Sequence, residues 1–151
     1  MKKGAVMLAV YVVGVVLLCA AMAHADDRGD AVKLVKDAVL YLNANGMEKA
    51  MDAINDPKGP FVKQNLYVFA LDLNGVSLAN SANPGVIGQN ILDVPDATGK
   101  KFRREFMALA QKEGSGWVDY KFLNPKTKAI EDKTSYIEKA GDMVLGCGIY
   151  K

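Results

Sequence analysis

The spacing of hydrophobic residues predicts two helices at the start of the folded region. Between Asp30 and Asn45 the apolar positions recur every three or four residues, which is typical of an amphipathic helix. The pair Asn45-Gly46 supplies a helix stop. A second, shorter helical face follows, before the prolines and glycine between residues 57 and 60 break it: Met47, Ala50, Met51 and Ile54.

Alternating hydrophobic and polar residues then predict a hairpin, a long loop and a third helix. The two strands are residues 65–71 and 76–80, and Asn74-Gly75 forms the tight turn between them. From Ser81 to Thr98 proline and glycine are frequent and no period persists, so we expect a long loop of the kind that commonly serves function. A helix from about Gly99 to Lys112 follows. We expect its charged residues mainly on the solvent side: Lys101, Arg103, Arg104 and Glu105.

Three further strands complete the pattern, at residues 116–122, 133–137 and 143–150. The order is therefore helix, helix, two strands, long loop, helix and three strands, which indicates an α+β domain. We expect a five-stranded antiparallel sheet with a long N-terminal helix and a crossover helix. This is the element order of PAS-like sensor folds.

The N-terminus has the pattern of a secretory signal peptide. Lys2 and Lys3 precede an uncharged run from Gly4 to Ala23, and Ala23-His24-Ala25 fits a small-x-small cleavage site. We therefore expect residues 1–25 to be removed and residues 26–151 to form a single domain in the periplasm. An apolar run of this length is also long enough to cross a bilayer, so an uncleaved membrane anchor is the alternative.

Composition excludes several functional classes once residues 1–25 are removed. Loss of Lys2 and Lys3 lowers the 19 basic residues to the number of acidic ones, 17, so the predicted mature chain has no net charge and no basic stripe for nucleic acid. His24, the only histidine, is removed as well. Its loss excludes serine–histidine and cysteine–histidine catalysis, the usual zinc sites and covalent haem attachment. We predict that the protein is not an enzyme and has no cofactor, and that Cys147 is a buried thiol.

Several short motifs span nearly all of residues 26–151 in a characteristic order: Gly59-Pro60-Phe61, Leu66-Tyr67-Val68-Phe69, Asp72-x-x-Gly75, Gly88-Gln89-Asn90, Gly116-Trp117-Val118-Asp119-Tyr120, Asn124-Pro125, Lys133-x-x-Tyr136 and Gly146-x-Gly148-Ile149-Tyr150. Together they resemble the type 2 single Cache domain. Because no kinase or transmitter sequence follows Lys151, we expect one of the free-standing secreted Cache proteins of bacteria. The resemblance implies an extracytoplasmic sensor for a small organic acid such as acetate, propionate, lactate or pyruvate. It also implies signal transduction or chemotaxis through a partner, such as a membrane sensor or receptor protein.

A carboxylate pocket requires a cation and directed hydrogen-bond donors inside an apolar cleft. Lys133 is the candidate cation. Six residues on the predicted strands are candidates for the other contacts, as hydroxyl donors, aromatic walls or a carboxylate: Tyr67, Phe69, Trp117, Asp119, Tyr120 and Tyr136. Each has an ordinary alternative, because aromatic residues often only pack in strands and charged residues often only face solvent.

Two alternatives to small-acid sensing stay open. An enzyme using Asp119, Lys133 or Tyr136 as an acid or base is disfavoured, because the sequence has no paired carboxylates at meaningful spacing and no organised nucleophile. A structural or protein-interaction module without a small-molecule ligand is the stronger alternative. It would dock through a sheet face or the N-terminal helix on a sensor protein or on a second copy, as a homodimer.

Overall fold

The computed structural model describes residues 27–151, and the predicted signal peptide lies outside the described residues. Residues 27–45 form helix α1, as the hydrophobic spacing predicts. Helix α2 (Met47–Asn55) begins one residue later. Gly46 separates the two helices with a φ of 83°, a left-handed conformation that favours glycine.

Six strands and a third helix follow α2. In chain order they are β1 (Val62–Lys63), β2 (Leu66–Asp72), β3 (Ser77–Asn80), a 3-10 turn (Pro84–Val86), α3 (Phe102–Glu113), β4 (Ser115–Leu123), β5 (Ile130–Ala140) and β6 (Met143–Tyr150). The predicted α+β fold is confirmed, and the five predicted strands are β2 to β6. The sequence pattern missed β1, which has only two residues and therefore no measurable alternation.

The sheet is antiparallel throughout, with strand order β1-β2-β6-β5-β4 and with β3 also paired to β2. Strand β5 extends beyond the predicted residues 133–137 at both ends. At its start Glu131 pairs with Phe122 and Asp132 pairs with Lys121. These polar residues interrupt the hydrophobic alternation but continue the backbone ladder, so the pattern underestimates the length of the strand.

Helices cover both faces of the sheet. On the first, called here the α1 face, helices α1 and α2 pack over Leu145, Cys147 and Ile149. On the second, the α3 face, helix α3 packs over Ile137 and Val144. Strand β6 lies between β2 and β5, and residues 144–149 are all buried because both of its faces are covered. Alternate residues of each central strand therefore belong to two separate cores.

The segment between β3 and α3 is the predicted long loop, and hydrogen bonds fix it to neighbouring elements. The Asp96 carboxylate accepts hydrogen bonds from the backbone N–H groups of Thr98, Lys100 and Lys121, and the Lys121 bond ties the loop to β4. The Thr98 hydroxyl and these backbone donors hold the pKa of Asp96 well below its ordinary range. Two hydrogen bonds of 2.5 and 2.8 Å join Arg104 of α3 to the Asp93 carboxylate.

Residues 27–151 contain no helix that combines the length and the hydrophobicity needed to cross a bilayer.

Candidate functional site

A small cavity of about 40 Å³ lies on the α3 face of the sheet. Strands β2, β4 and β5 form one wall, and α3 with the preceding loop forms the other. The lining residues are Tyr67, Phe69, Leu71, Asn80, Ile91, Phe102, Arg103, Phe106, Tyr120, Phe122 and Lys133. Most of this lining is aromatic or aliphatic, so the two charged side chains define the chemistry of the cavity.

Lys133 reaches the cavity from β5. In the ladder it lies between Tyr120 of β4 and Tyr150 of β6, and its exposed fraction is 3%. Its ammonium donates a hydrogen bond of 3.3 Å to the Tyr67 hydroxyl. It also lies 5.0 Å from the ring centre of Phe122 and 4.7 Å from that of Tyr150, distances at which a cation is attracted to an aromatic face. No carboxylate within residues 27–151 forms an ion pair with it.

Burial makes the charge on Lys133 costly. Desolvation, together with the smaller effect of the nearby positive charge of Arg103, lowers its pKa from an ordinary value near 10.5 to about 8. The thiolate form of Cys147 would act in the opposite direction, but burial raises the pKa of that thiol to about 12, so it stays protonated. The side chain is therefore mainly charged at neutral pH, and it has no anionic partner among the residues that the structure describes.

Arg103 supplies a second cation from the first turn of α3. One guanidinium nitrogen donates a hydrogen bond of 3.2 Å to the carbonyl of Val94, and the guanidinium carbon lies 4.2 Å from the ring centre of Phe102. Partial burial lowers the pKa of Arg103, and no carboxylate in the described part of the chain neutralises it. Two cations from opposite walls thus face one apolar cavity, an arrangement that favours an anionic occupant.

Two tyrosines add hydroxyl groups between these charges. The Tyr120 hydroxyl shares a hydrogen bond of 2.9 Å with Ser135, and the Tyr120 ring stacks on Phe102 at 4.0 Å with an angle of 4° between the rings. The Tyr67 hydroxyl accepts from Lys133 and keeps its own proton for donation. Burial raises the pKa of Tyr67 to about 12 and also raises that of Tyr120, so both remain neutral donors.

Four of the seven residues predicted from the sequence line this cavity: Tyr67, Phe69, Tyr120 and Lys133. The other three point to the opposite face. Trp117 and Tyr136 pack beneath α1, where the Arg28 guanidinium lies 3.9 Å from the Trp117 ring centre and the Tyr136 hydroxyl donates to Glu138. Asp119 is exposed and forms an ion pair of 2.7 Å with Lys151. Because side chains alternate along β4 and β5, Trp117, Asp119 and Tyr136 lie on the face of the sheet opposite Lys133 and the cavity.

Sequence reasoning missed Arg103, which it placed with the solvent-exposed charges of α3. The signal for its true position lies four residues later. Met107 is 6% exposed, and residues four apart lie on the same face of a helix. Arg103 therefore lies at the edge of the buried face, whereas its neighbour Arg104 points outward to Asp93. Phe102 and Phe106 lie on the buried face of α3 and line the cavity.

The described residues contain no cluster of histidine, cysteine, aspartate and glutamate suited to a metal ion. The cavity instead combines two unpaired cations, two phenolic donors and apolar walls. Such a set can bind a small anion by charge-assisted hydrogen bonds while it packs against the non-polar part of the same molecule.

Comparisons with known proteins concern the family and the fold of the chain. A family model described as single Cache domain 2 matches residues 27–151. The sensor histidine kinase MctS of Rhizobium johnstonii is 34% identical over 86 residues, and the methyl-accepting chemotaxis protein McpP of Pseudomonas putida is 30% identical over 86 residues. Each match covers 56% of this chain but only 18% of MctS and 16% of McpP. The chain thus spans less than a fifth of either relative.

Solved structures show the same fold. A structure described as the basis for carboxylic acid recognition by a Cache chemosensory domain is 26% identical, with a TM-score of 0.69 over 86% of this chain and 97% of that one. A methyl-accepting chemotaxis protein from Vibrio parahaemolyticus is 22% identical, with a TM-score of 0.70 over 89% of this chain and 95% of that one. The second likeness concerns the fold alone.

Proposed function

The chain belongs to the single Cache domain 2 family, and from this premise we propose that it is a sensor domain that binds a small carboxylate in the cavity between β5 and α3. The observation that carries the proposal is the pair of unneutralised cations, Lys133 and Arg103, on opposite walls of one cavity. A carboxylate would accept hydrogen bonds from both and would offset the cost of burying their charges.

The other cavity residues fit the two ends of such a ligand. The hydroxyls of Tyr67 and Tyr120 would donate to the carboxylate, beside Lys133. The rings of Phe69, Phe102 and Phe106 would contact its hydrocarbon part. The related structure described as the basis for carboxylic acid recognition by a Cache chemosensory domain supports the same class of ligand.

The volume of the cavity favours short acids. A buried water requires about 10 to 15 Å³ by the same measure, so about 40 Å³ accommodates roughly three to four small groups. Acetate and propionate are close to that size, and pyruvate and lactate require a slight expansion of the walls. Dicarboxylates and aromatic acids are too large, so we propose selectivity for monocarboxylates of two or three carbons.

We further propose that the domain works in the periplasm and signals through a partner. Residues 1–25 would act as the cleaved signal peptide, and residues 26–151 would form the mature domain. Membership of sensor kinases and chemoreceptors among the relatives supports a role in signal transduction or chemotaxis, with a membrane sensor or receptor, or a second copy of the chain, as the partner. Mass spectrometry of protein recovered from the periplasm tests the location, with an N-terminus at Asp26 expected.

The proposed role is binding without catalysis. The cavity holds Lys133 as a potential base, but the walls supply no carboxylate and no nucleophile that a base would activate. We therefore propose that the bound acid leaves unchanged.

Thermal unfolding of the purified protein with a panel of acids tests the function. At a ligand concentration one hundred times its dissociation constant, binding adds about 2.7 kcal/mol to the free energy of unfolding. This gain raises the melting temperature by several degrees in a domain of this size. We expect the shift with acetate or propionate and not with citrate, amino acids or divalent cations. Cooperative unfolding without a shift from any small acid would contradict the proposal.

A further inference from the structure

Strand β6 carries two glycines, Gly146 and Gly148, that face the cavity side of the sheet. We infer that this pair is the floor of the binding site, on which Gly148 positions the Lys133 ammonium and Gly146 positions the Phe69 ring that limits ligand length. The ligand-length part of the inference rests on the proposed function, whereas the positioning of Lys133 does not. These are positioning residues, since they act through the side chains above them.

Neither glycine is required by the backbone. Gly46 and Gly75 have positive φ angles of 83° and 86°, but Gly146 and Gly148 do not belong to the positive-φ residues of the chain. Both lie in the central strand, where glycine lacks packing contacts and is less favourable than other residues. The explanation therefore lies in the space that a side chain would occupy.

At Gly148 that space is filled by the side chain of Lys133. A Cβ atom at this position would lie 2.5 Å from Cε of Lys133, 2.6 Å from Oγ of Ser135 and 3.4 Å from the Lys133 ammonium. A real contact of 2.5 Å does not occur, so the end of the Lys133 side chain would have to shift away from β6. Ser135 would move as well, and with it the hydrogen bond that orients Tyr120.

At Gly146 the space is filled by an aromatic wall. A Cβ atom there would lie 2.4 Å from Cζ and 2.8 Å from Cε2 of Phe69. Phe69 stacks on Phe106 of α3 with ring centres 5.8 Å apart. The same Cβ would lie 3.0 Å from Cγ2 of Ile137, so the Phe69 ring would have to shift, and we expect it to move away from β6 toward α3 and the cavity. A methyl group at 146 would thus shorten the cavity but leave Lys133 in place.

The two positions therefore predict different effects for the same chemical change. Gly148→Ala should raise the dissociation constants of acetate and propionate alike, by about tenfold or more. The carboxylate group that both acids carry loses its charge-assisted contact with Lys133. Gly146→Ala should raise the dissociation constant of propionate by about tenfold relative to that of acetate, because the extra methylene of propionate no longer fits. A general loss of stability would not separate the two acids in this way. Gly29→Ala is the control, since a Cβ there meets nothing within 4 Å.

The positioning of Lys133 is measurable without any acid. We propose to titrate the Lys133 ammonium by NMR of its ε-carbon in the unliganded protein, in the wild type, Gly148→Ala and Gly146→Ala. The Lys133 pKa should rise in Gly148→Ala toward that of an ordinary lysine, because the ammonium moves away from the dry sheet surface, and should stay near the wild-type value in Gly146→Ala. Ser135→Ala combined with Gly148→Ala removes one of the two clashes and serves if the single variant folds poorly.

The outcomes separate the inference from the proposed function. If the Lys133 pKa is unchanged in folded Gly148→Ala, Gly148 does not position the ammonium, whatever ligand the protein binds. Suppose that the Lys133 pKa is raised in Gly148→Ala and that the wild-type protein binds no acid. This result would support the positioning role of Gly148 and would contradict the proposed acid binding. If Gly146→Ala loses affinity for acetate and propionate equally, Gly146 does not limit the length of the ligand.

Discussion

The Lys133 ammonium hydrogen-bonds to the Tyr67 hydroxyl at 3.3 Å, and this neutral group takes the place of the carboxylate that a buried lysine usually requires. Lys133 is 3% exposed, and no carboxylate within residues 27–151 forms an ion pair with it. A protein that only had to fold would be more stable with an apolar side chain here. The site is therefore built at the expense of stability, which is expected of a binding site that awaits an anion.

Lys133→Met should separate binding from stability. Methionine has a similar length and carries no charge, so we expect loss of the acid-induced rise in melting temperature. The unliganded protein should instead become more stable at pH 7, because the pKa shift of Lys133 to about 8 corresponds to a cost of roughly 3 kcal/mol. Chemical denaturation at pH 7, with and without propionate, measures both effects.

Lys121→Met is the matched control, since Lys121 lies on β4 and forms an exposed ion pair with Asp132. It should change neither quantity by much. A Lys133→Met protein that is less stable than wild type, or that still responds to propionate, would contradict this account of the lysine.

Adjacent arginines on α3 allow a second comparison. Arg103→Gln should weaken acid binding by about 10- to 100-fold, because a hydrogen bond to a charged group contributes about 1.5 to 3 kcal/mol. Arg104→Gln removes an equal charge one residue away, but its partner is Asp93 outside the cavity. We expect a change of less than about threefold for Arg104→Gln, as is usual for exposed ion pairs. Calorimetric titration measures the acid affinity of both variants. Similar losses of affinity in the two would show a general effect of charge instead of a contact made by Arg103.

Acid binding should weaken as the pH rises above about 8. The protonated form of Lys133 binds the carboxylate, and its pKa of about 8 predicts a dissociation constant about tenfold higher at pH 9 than at pH 7. Tyr67 and Cys147, each with a pKa of about 12, do not titrate in this interval. Binding that is constant from pH 7 to 9 would place the anion elsewhere.

The same shift predicts the opposite trend for the unliganded protein. Because the pKa of Lys133 is lower in the folded than in the unfolded chain, its penalty is complete below pH 8. The penalty disappears as the pH rises from about 8 toward 10.5. The contribution of this residue to the free energy of unfolding therefore increases over that interval. The free energy of unfolding is measured against pH in the wild type and in Lys133→Met, and the difference between the two curves isolates the contribution of Lys133. A difference that does not change with pH would contradict the lowered pKa of Lys133.

Residues on the α1 face should not affect acid binding. Trp117→Phe and Asp119→Asn change side chains that contact Arg28 and Lys151, on the far side of the sheet from the cavity. We expect the dissociation constant for acetate to stay within about twofold of wild type in both variants. A tenfold loss in either would mean that the ligand, or a change that it induces, reaches the α1 face.

Local pattern was sufficient to predict most of the fold. The hydrophobic spacing of α1 and the Asn74-Gly75 turn each specify their own element through neighbours in sequence. The site required more. Trp117 and Tyr120 are three residues apart in one strand, as are Lys133 and Tyr136, so alternation alone assigns the members of each pair to opposite faces. Which face carries the cavity depends on where α3 packs.

The second cation shows where sequence reasoning ends. The charges at 101, 103, 104 and 105 look equivalent along the chain, and only the burial of Met107 distinguishes Arg103 from its neighbours. The role of Gly148 depends on contacts across the sheet with Lys133, fifteen residues earlier in the chain. Such relationships are set by register and packing, which a single sequence does not display.

Calorimetric titration of the purified wild-type protein and its Lys133→Met variant with acetate and propionate at pH 7 tests the central claim most directly. The account predicts saturable binding of one acid per chain in the wild type and none in a stably folded Lys133→Met protein. The contradictory result is a folded wild-type protein that binds neither acid, or a variant that binds as tightly as the wild type.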